Sequence, residues 1–111
     1  MEDTKIRELA VDEETKTRLE NAAWLERASL SDLARQVAQA AIDGEADELD
    51  IDALLPKGAS KSRIGALMND ATWDAFADTA WRLRSSRAKL FRALVASKYA
   101  KVPLERKKVM K

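Results

Sequence analysis

Leu19, Ala22, Ala23 and Glu26 fall at i, i+3, i+4 and i+7, a spacing that gathers them on one side of an α-helix. Small residues on that side let a second helix approach closely. The helix this predicts covers roughly 12–27, because Asp12-Glu13-Glu14 supplies a capping Asp followed by first-turn acids. Just upstream, Ile6 to Val11 is short, contains Ile and Val, and reads as a strand feeding that cap. Ala28-Ser29-Leu30-Ser31-Asp32 then breaks the periodicity with hydroxyls that can accept from the free amides of a new helix, which carries Leu33, Val37, Ala40 and Ala41.

The same order returns with bulkier residues. Arg63 to Met68 reads as strand, Asn69-Asp70 as cap, and Trp73, Phe76, Ala77, Ala80 and Leu83 as one helical face. Arg84-Ser85-Ser86-Arg87 makes the turn, and Leu90, Phe91, Leu94, Val95 and Tyr99 line a last helix that Pro103 ends. Sliding the chain on itself by 57 residues superimposes Thr15 on Thr72, Ala23 on Ala80, Trp24 on Trp81, Arg27 on Arg84, Ser29 on Ser86, Leu33 on Leu90 and Arg35 on Arg92. The identities are few, but the element pattern recurs with them, so each half is strand, helix, turn, helix. Gly44, the acidic stretch Glu45 to Asp52 and Pro56-Lys57-Gly58 read as a helix stop and a connector. The expected organisation is a first repeat over 1–43, an acidic linker over 44–60, a second repeat over 61–101 and a basic tail over 102–111.

Composition narrows the chemistry. The chain has 111 residues, with neither His nor Cys, so thiol nucleophiles, imidazole bases, disulfides and ordinary zinc sites are excluded. No acid/base pair or nucleophile with an activator appears among the carboxylates, Lys and Ser, and the expectation is a protein that is not an enzyme and uses no cofactor or metal. Asp47, Glu48, Asp50 and Asp52 lack the loop glycine and twelfth-position Glu of an EF-hand. Apolar runs are too short for a membrane span and Met1-Glu2-Asp3 is the opposite of a basic signal start, so a cytoplasmic protein without membrane contact is expected.

The net charge of +1 conceals a division at Pro56: 6 basic and 15 acidic residues precede it, whereas 14 basic and 4 acidic make up the remainder. A positive second half can hold a polyanion; the competing reading is neutralisation of one half by the other within the fold.

Val11-Asp12-Glu13-Glu14, Leu19, Ser29-Leu30-Ser31-Asp32-Leu33 and Arg35, with Met68-Asn69-Asp70, Phe76, Ser86-Arg87-Ala88-Lys89-Leu90 and Arg92 in the equivalent places, carry a resemblance. The chain resembles the ribbon-helix-helix (Arc/MetJ-type) DNA-binding family, as two tandem copies over about 4–42 and 61–99. The resemblance implies a mostly α fold with a short antiparallel two-stranded ribbon, the two repeats packing as an intramolecular pseudo-dimer. It also implies a ribbon lying in the major groove of double-stranded DNA. A plain helical bundle is the structural competitor, because Gly65 and Ala66 are poor strand residues.

Strand alternation with Leu9 and Val11 inward sends Ile6, Glu8 and Ala10 outward, and Arg63, Gly65 and Leu67 with them. The candidate base contacts are therefore Arg63 to guanine, Glu8 to a cytosine amino group, and Ile6, Ala10 and Leu67 to thymine methyls. Candidate phosphate contacts are Arg82, Arg84, Ser85, Ser86, Arg87 and Lys89 around the start of the last helix, where free amides favour anions. Arg27, Ser29 and Ser31 form a weaker counterpart beside Glu26 and Asp32. A solvated basic face is the alternative for the first group. Arg106-Lys107-Lys108 and Lys111 suggest a flexible arm. Trp81 extends the row of Trp73 and Ala77 and is expected in a core or subunit interface; Trp24, on a polar row, suits an exposed partner contact.

The function these features imply is sequence-specific DNA binding by a transcriptional repressor or accessory factor, of the kind carried by plasmids, phages and other mobile elements. The alternative is a protein-interaction module, such as an antitoxin or a phage protein that binds a host factor, engaging its partner through the acidic linker or Trp24. Either a monomeric pseudo-dimer or a homodimer is compatible with the repeat.

Overall fold

The computed structural model describes residues 4–104. The expected arm at Arg106-Lys107-Lys108 and Lys111 lies outside the described residues. Seven elements follow one another: β1 (Lys5–Val11), α1 (Glu13–Glu26), α2 (Leu30–Ile42), α3 (Ile51–Leu54), β2 (Ser62–Met68), α4 (Asp70–Arg82) and α5 (Arg87–Lys98). β1 and β2 pair antiparallel as a two-stranded sheet, with Lys5 opposite Met68 and Val11 opposite Ser62.

Each helix starts where a short polar side chain relieves its free amides. Asp12 accepts from the Thr15 amide, Asn69 from Thr72, Ser29 from Asp32 and Ser86 from Lys89. These caps stand 57 residues apart in pairs, as do the two strands end to end and the starts of α1 and α4 and of α2 and α5. Arg27 and Arg84, another such pair, both adopt left-handed backbone, at φ 54° and 58°, and close the turns between the helices.

Leu9 and Val11 of β1 and Ile64, Ala66 and Met68 of β2 form the buried face of the sheet. Gly65 and Ala66 therefore do not prevent a strand: Ala66 fills an inward position, and Gly65 takes an outward one where burial asks nothing of it. Against this face pack α2 and α5, with Leu33, Val37, Leu90, Leu94 and Val95 buried, while Leu19 and Ala22 of α1 and Phe76 and Ala80 of α4 complete the core. The two halves fill that core unequally. Phe91 stands where the first half has Ala34, Val95 where it has Ala38 and Phe76 where it has Leu19, and all six are fully buried. The radius of gyration, 13.3 Å, is that of one compact body of this length.

The connector is no spacer. Leu49 and Ile51 pack on the core, Ala46 is buried, and α3 lies against α5 with Asp50 as its cap. Asp47 accepts from Arg82 at 2.9 Å and Glu45 pairs with Lys98 at 3.5 Å, so part of the acidic first half neutralises the basic second half. At the other end of α5, the Arg18 guanidinium donates to the carbonyls of Tyr99, Ala100 and Val102 at 3.0–3.4 Å, and Asn21 to that of Pro103 at 2.6 Å. These bonds tie the segment that follows α5 to α1.

The core placement expected for Trp81 is corrected: its side chain is 82% exposed. Steps of four residues along an α-helix turn about 40° beyond a full circle, so two steps from Trp73 carry a side chain about 80° off the buried face. Phe76 and Ala80 hold that face instead. Glu26, placed on the apolar face of α1, is likewise exposed, and that face ends at Ala23.

Candidate nucleic-acid interface

The outer face of the sheet carries three rungs, Ala10 opposite Arg63, Glu8 opposite Gly65 and Ile6 opposite Leu67. This is the set that strand alternation predicts. Ile6 is 70% and Leu67 49% exposed, while Arg63 and Glu8 are open to solvent. A Cβ at Gly65 would come within 3.1 Å of Ile6 Cγ2, so the isoleucine leans over the glycine and the centre of the face stays shallow.

Two helix starts flank the ribbon. The Leu67 amide donates to Ser31 Oγ at 2.9 Å, which fixes the first turn of α2 beside the end of β2. Arg92 in α5 donates through Nε to Asp12 Oδ1 at 2.9 Å and through Nη2 to the carbonyls of Pro56 and Gly58 at 3.1 and 3.3 Å. That contact fixes α5 beside the end of β1 and pins the connector to it. Asp12 is completely buried and also accepts from the Thr15 amide at 2.9 Å and the Thr15 hydroxyl at 2.6 Å. Burial pushes its carboxyl up, but the Thr15 and Arg92 bonds outweigh burial and hold it below the ordinary carboxylate value.

The expected phosphate cluster divides. Arg82 is engaged by Asp47 of the connector. Arg87 lies 4.0 Å over the Trp73 ring and donates to the Trp73 carbonyl at 3.1 Å, with Asp74 at 3.9 Å. Burial lowers the pKa of Arg87, Asp74 opposes that, and nearby Arg7 adds to it. Arg7 completes this group by donating to Asp70 and to the Met68 carbonyl. Ser85 turns its hydroxyl inward, where it is buried and has no partner among the described residues. Ser86 caps α5, and Arg84 and Lys89 are exposed. In the first half, Arg27 is exposed, Ser29 caps α2, and Ser31 holds β2. The exposed groups around the two helix starts are thus Arg84, Ser86 and Lys89 on one side and Arg27, Ser29 and Asp32 on the other.

Comparison with family models, with curated proteins and with solved structures finds no match for this chain. The site must therefore be read from its own geometry.

Sequence reasoning passes over two features. One is the Asp12–Arg92 pair, which joins residues 80 apart. The other is a groove of about 600 Å³ lined by Thr4, Arg35, Gln39, Asn69 and Thr72, among others. Arg35 and Asn69 are the repeat equivalents of Arg92 and Asp12, and Arg35 here turns to its own-helix neighbour Asp32 at 3.3 Å. The signal for both was the change from Asp12 to Asn69 at aligned cap positions. Among the described residues no helix is long and apolar enough to cross a membrane, and no cluster of acidic side chains could hold a metal.

Proposed function

We propose that this chain is a sequence-specific double-stranded-DNA-binding protein, a regulator in which tandem ribbon-helix-helix repeats act as an intramolecular pseudo-dimer. The observation that carries the reading is the solvent-facing side of an antiparallel ribbon whose strands are repeat equivalents, flanked by the serine-capped starts of α2 and α5. A two-stranded ribbon fits the major groove, and capped helix starts present amides to phosphates on either side. On this reading Arg63 contacts guanine, Glu8 a cytosine amino group, and Ile6, Ala10 and Leu67 the thymine methyls. Phosphate binding falls mainly to Lys89, Ser86 and Arg84, since Arg82 and Arg87 are spent on Asp47 and Trp73.

Selection from random duplexes, followed by titration at several salt concentrations, tests it. Affinity should fall steeply with salt, and Lys89→Ala should reduce the log–log slope by about 0.9 if that lysine neutralises one phosphate. Arg63→Ala should leave the slope nearly unchanged and relax choice at one base pair. Failure to bind any duplex at low salt overturns the proposal.

A protein partner is the second reading, and the exposed Trp24 and Leu25 side chains favour it. In the connector, Leu49 and Ile51 pack on the core, which leaves its exposed carboxylates as the part open to a partner. Trp24→Ala should then abolish copurification of the partner and leave duplex binding intact.

A further inference from the structure

The pseudo-two-fold axis passes through the middle rung of the ribbon. Glu8 and Gly65 are opposite each other in register and are also repeat equivalents. In a dimer of identical chains this rung would set one glutamate directly against another, and like charges directly opposite are destabilising. Here Gly65 replaces the second carboxylate and Ile6 covers the space. The remaining outward positions are also unlike: Ile6 is equivalent to Arg63, and Ala10 to Leu67. At the flanking helix starts, Asp32 is equivalent to Lys89 and Ser31 to Ala88.

These differences add up along one direction. Arg63 and Ala10 lie at the end of the ribbon where Asp12 meets Arg92 of α5, the helix whose first turn carries Lys89. Ile6 and Leu67 lie at the end held by Ser31, beside Asp32. One end is cationic and suited to guanine; the other is apolar, suited to thymine methyls, with Asp32, paired to Arg35 at 3.3 Å, where Lys89 stands at the first end.

We infer that the chain, on the DNA-binding reading above, recognises a non-palindromic site and binds it in a single orientation. Symmetry in a DNA site mirrors symmetry in the protein that reads it, and this backbone two-fold is contradicted by the side chains at every outward position. The half-site under Arg63 and Lys89 carries guanine and the tighter phosphate grip. The half-site under Ile6 and Leu67 carries thymine and a looser backbone contact.

The test uses the absence of cysteine from the chain. Lys89→Cys and Asp32→Cys each create one attachment point for an iron chelate that cuts DNA nearby, at equivalent places on opposite flanks. Both positions are exposed, so neither change disturbs the core. On the duplex recovered by selection, the tagged Lys89→Cys protein should cut one end and the tagged Asp32→Cys protein the other. Arg63→Ala should lower discrimination about tenfold in one half-site only. Equal cutting at both ends by each protein, or a recovered site that reads the same on both strands, overturns the single orientation while leaving DNA binding standing. Absence of any bound duplex overturns the DNA reading and the orientation together.

Discussion

Asp12→Asn removes one charge from the buried contact between the start of α1 and α5. Asparagine still caps α1, as Asn69 does for α4. What is lost is the ion pair with Arg92, whose side chain is only 12% exposed, and the acceptor at Oδ1, since an asparagine whose oxygen stays on the Thr15 amide turns its Nδ2 donor toward Arg92 Nε and the Thr15 hydroxyl. Breaking a buried pair by removing one partner costs about 3–5 kcal/mol. Arg92 keeps the Pro56 and Gly58 carbonyls, which brings the expectation to about 2–3 kcal/mol. For 111 residues the unfolding entropy makes 1 kcal/mol worth about 4 °C, so Tm should fall by about 8–12 °C. Asn69→Ala, which removes a cap and no pair, should cost about 1 kcal/mol, or about 4 °C. Acid sharpens the test. Because the folded-state pKa of Asp12 lies below its unfolded value, the pair's contribution is complete above the unfolded value, near 4, and is lost as pH falls through the folded one. Melting curves from pH 7 down to pH 2 should show the gap between wild type and Asp12→Asn closing in acid. A gap that stays constant with pH, or a loss no greater than that of Asn69→Ala, refutes the reasoning.

Ser31→Ala strips the acceptor from the Leu67 amide and should cost about 0.5–1 kcal/mol, seen most directly as faster hydrogen exchange at that amide. Arg87→Ala should lower stability by about 1–2 kcal/mol through its lost stacking on Trp73 and lost bond to the Trp73 carbonyl, and should leave the salt slope of duplex binding unchanged. Asn69→Asp offers Arg35 the carboxylate that Arg92 already has, but Arg35 is more than half exposed, so a gain of at most about 1 kcal/mol in thermal unfolding is expected.

The alternation of the strands was legible because a period of two leaves no freedom: once Leu9 and Val11 point inward, Ile6, Glu8 and Ala10 cannot. The caps were legible for a similar reason, since Asp12, Ser29, Asn69 and Ser86 each stand next to a change of period. Trp81 was misread because a row of i+4 steps drifts around a helix, and only the position of the core edge decides where the drift reaches solvent. The expected phosphate cluster was grouped by nearness in sequence, whereas Asp47 and the Trp73 ring, which engage Arg82 and Arg87, come from other elements. Leu49 and Ile51 alternate with carboxylates in the connector, a pattern that does not say whether they pack on this chain or on a partner. Leu49 and Ile51 have no periodic context of their own, and only the surface of α5 and its neighbours gives them a place to be buried.

On the pseudo-dimer reading proposed above, joining two copies in one chain changes which contacts are available to each. A connector between α2 and β2 can cross only one side of a two-fold arrangement, and here it crosses the side where α5 meets the end of β1. Arg92 finds there a carboxylate at Asp12 and carbonyls at Pro56 and Gly58, enough acceptors to justify burying its charge. On the opposite side no connector passes, and Arg35 sits over an open groove with neutral Asn69. A carboxylate at 69 would lie in that groove facing an arginine that is more than half exposed and already paired with Asp32, a pair of small value. The connector thus supplies acceptors to Arg92 beside Asp12, and Arg35 beside Asn69 has none from it. On the same reading the covalent link frees the ribbon from symmetry: a residue at position 8 of a homodimer would appear twice on the outer face, whereas here Glu8 faces Gly65. The connector that holds the two halves together is also what lets them differ.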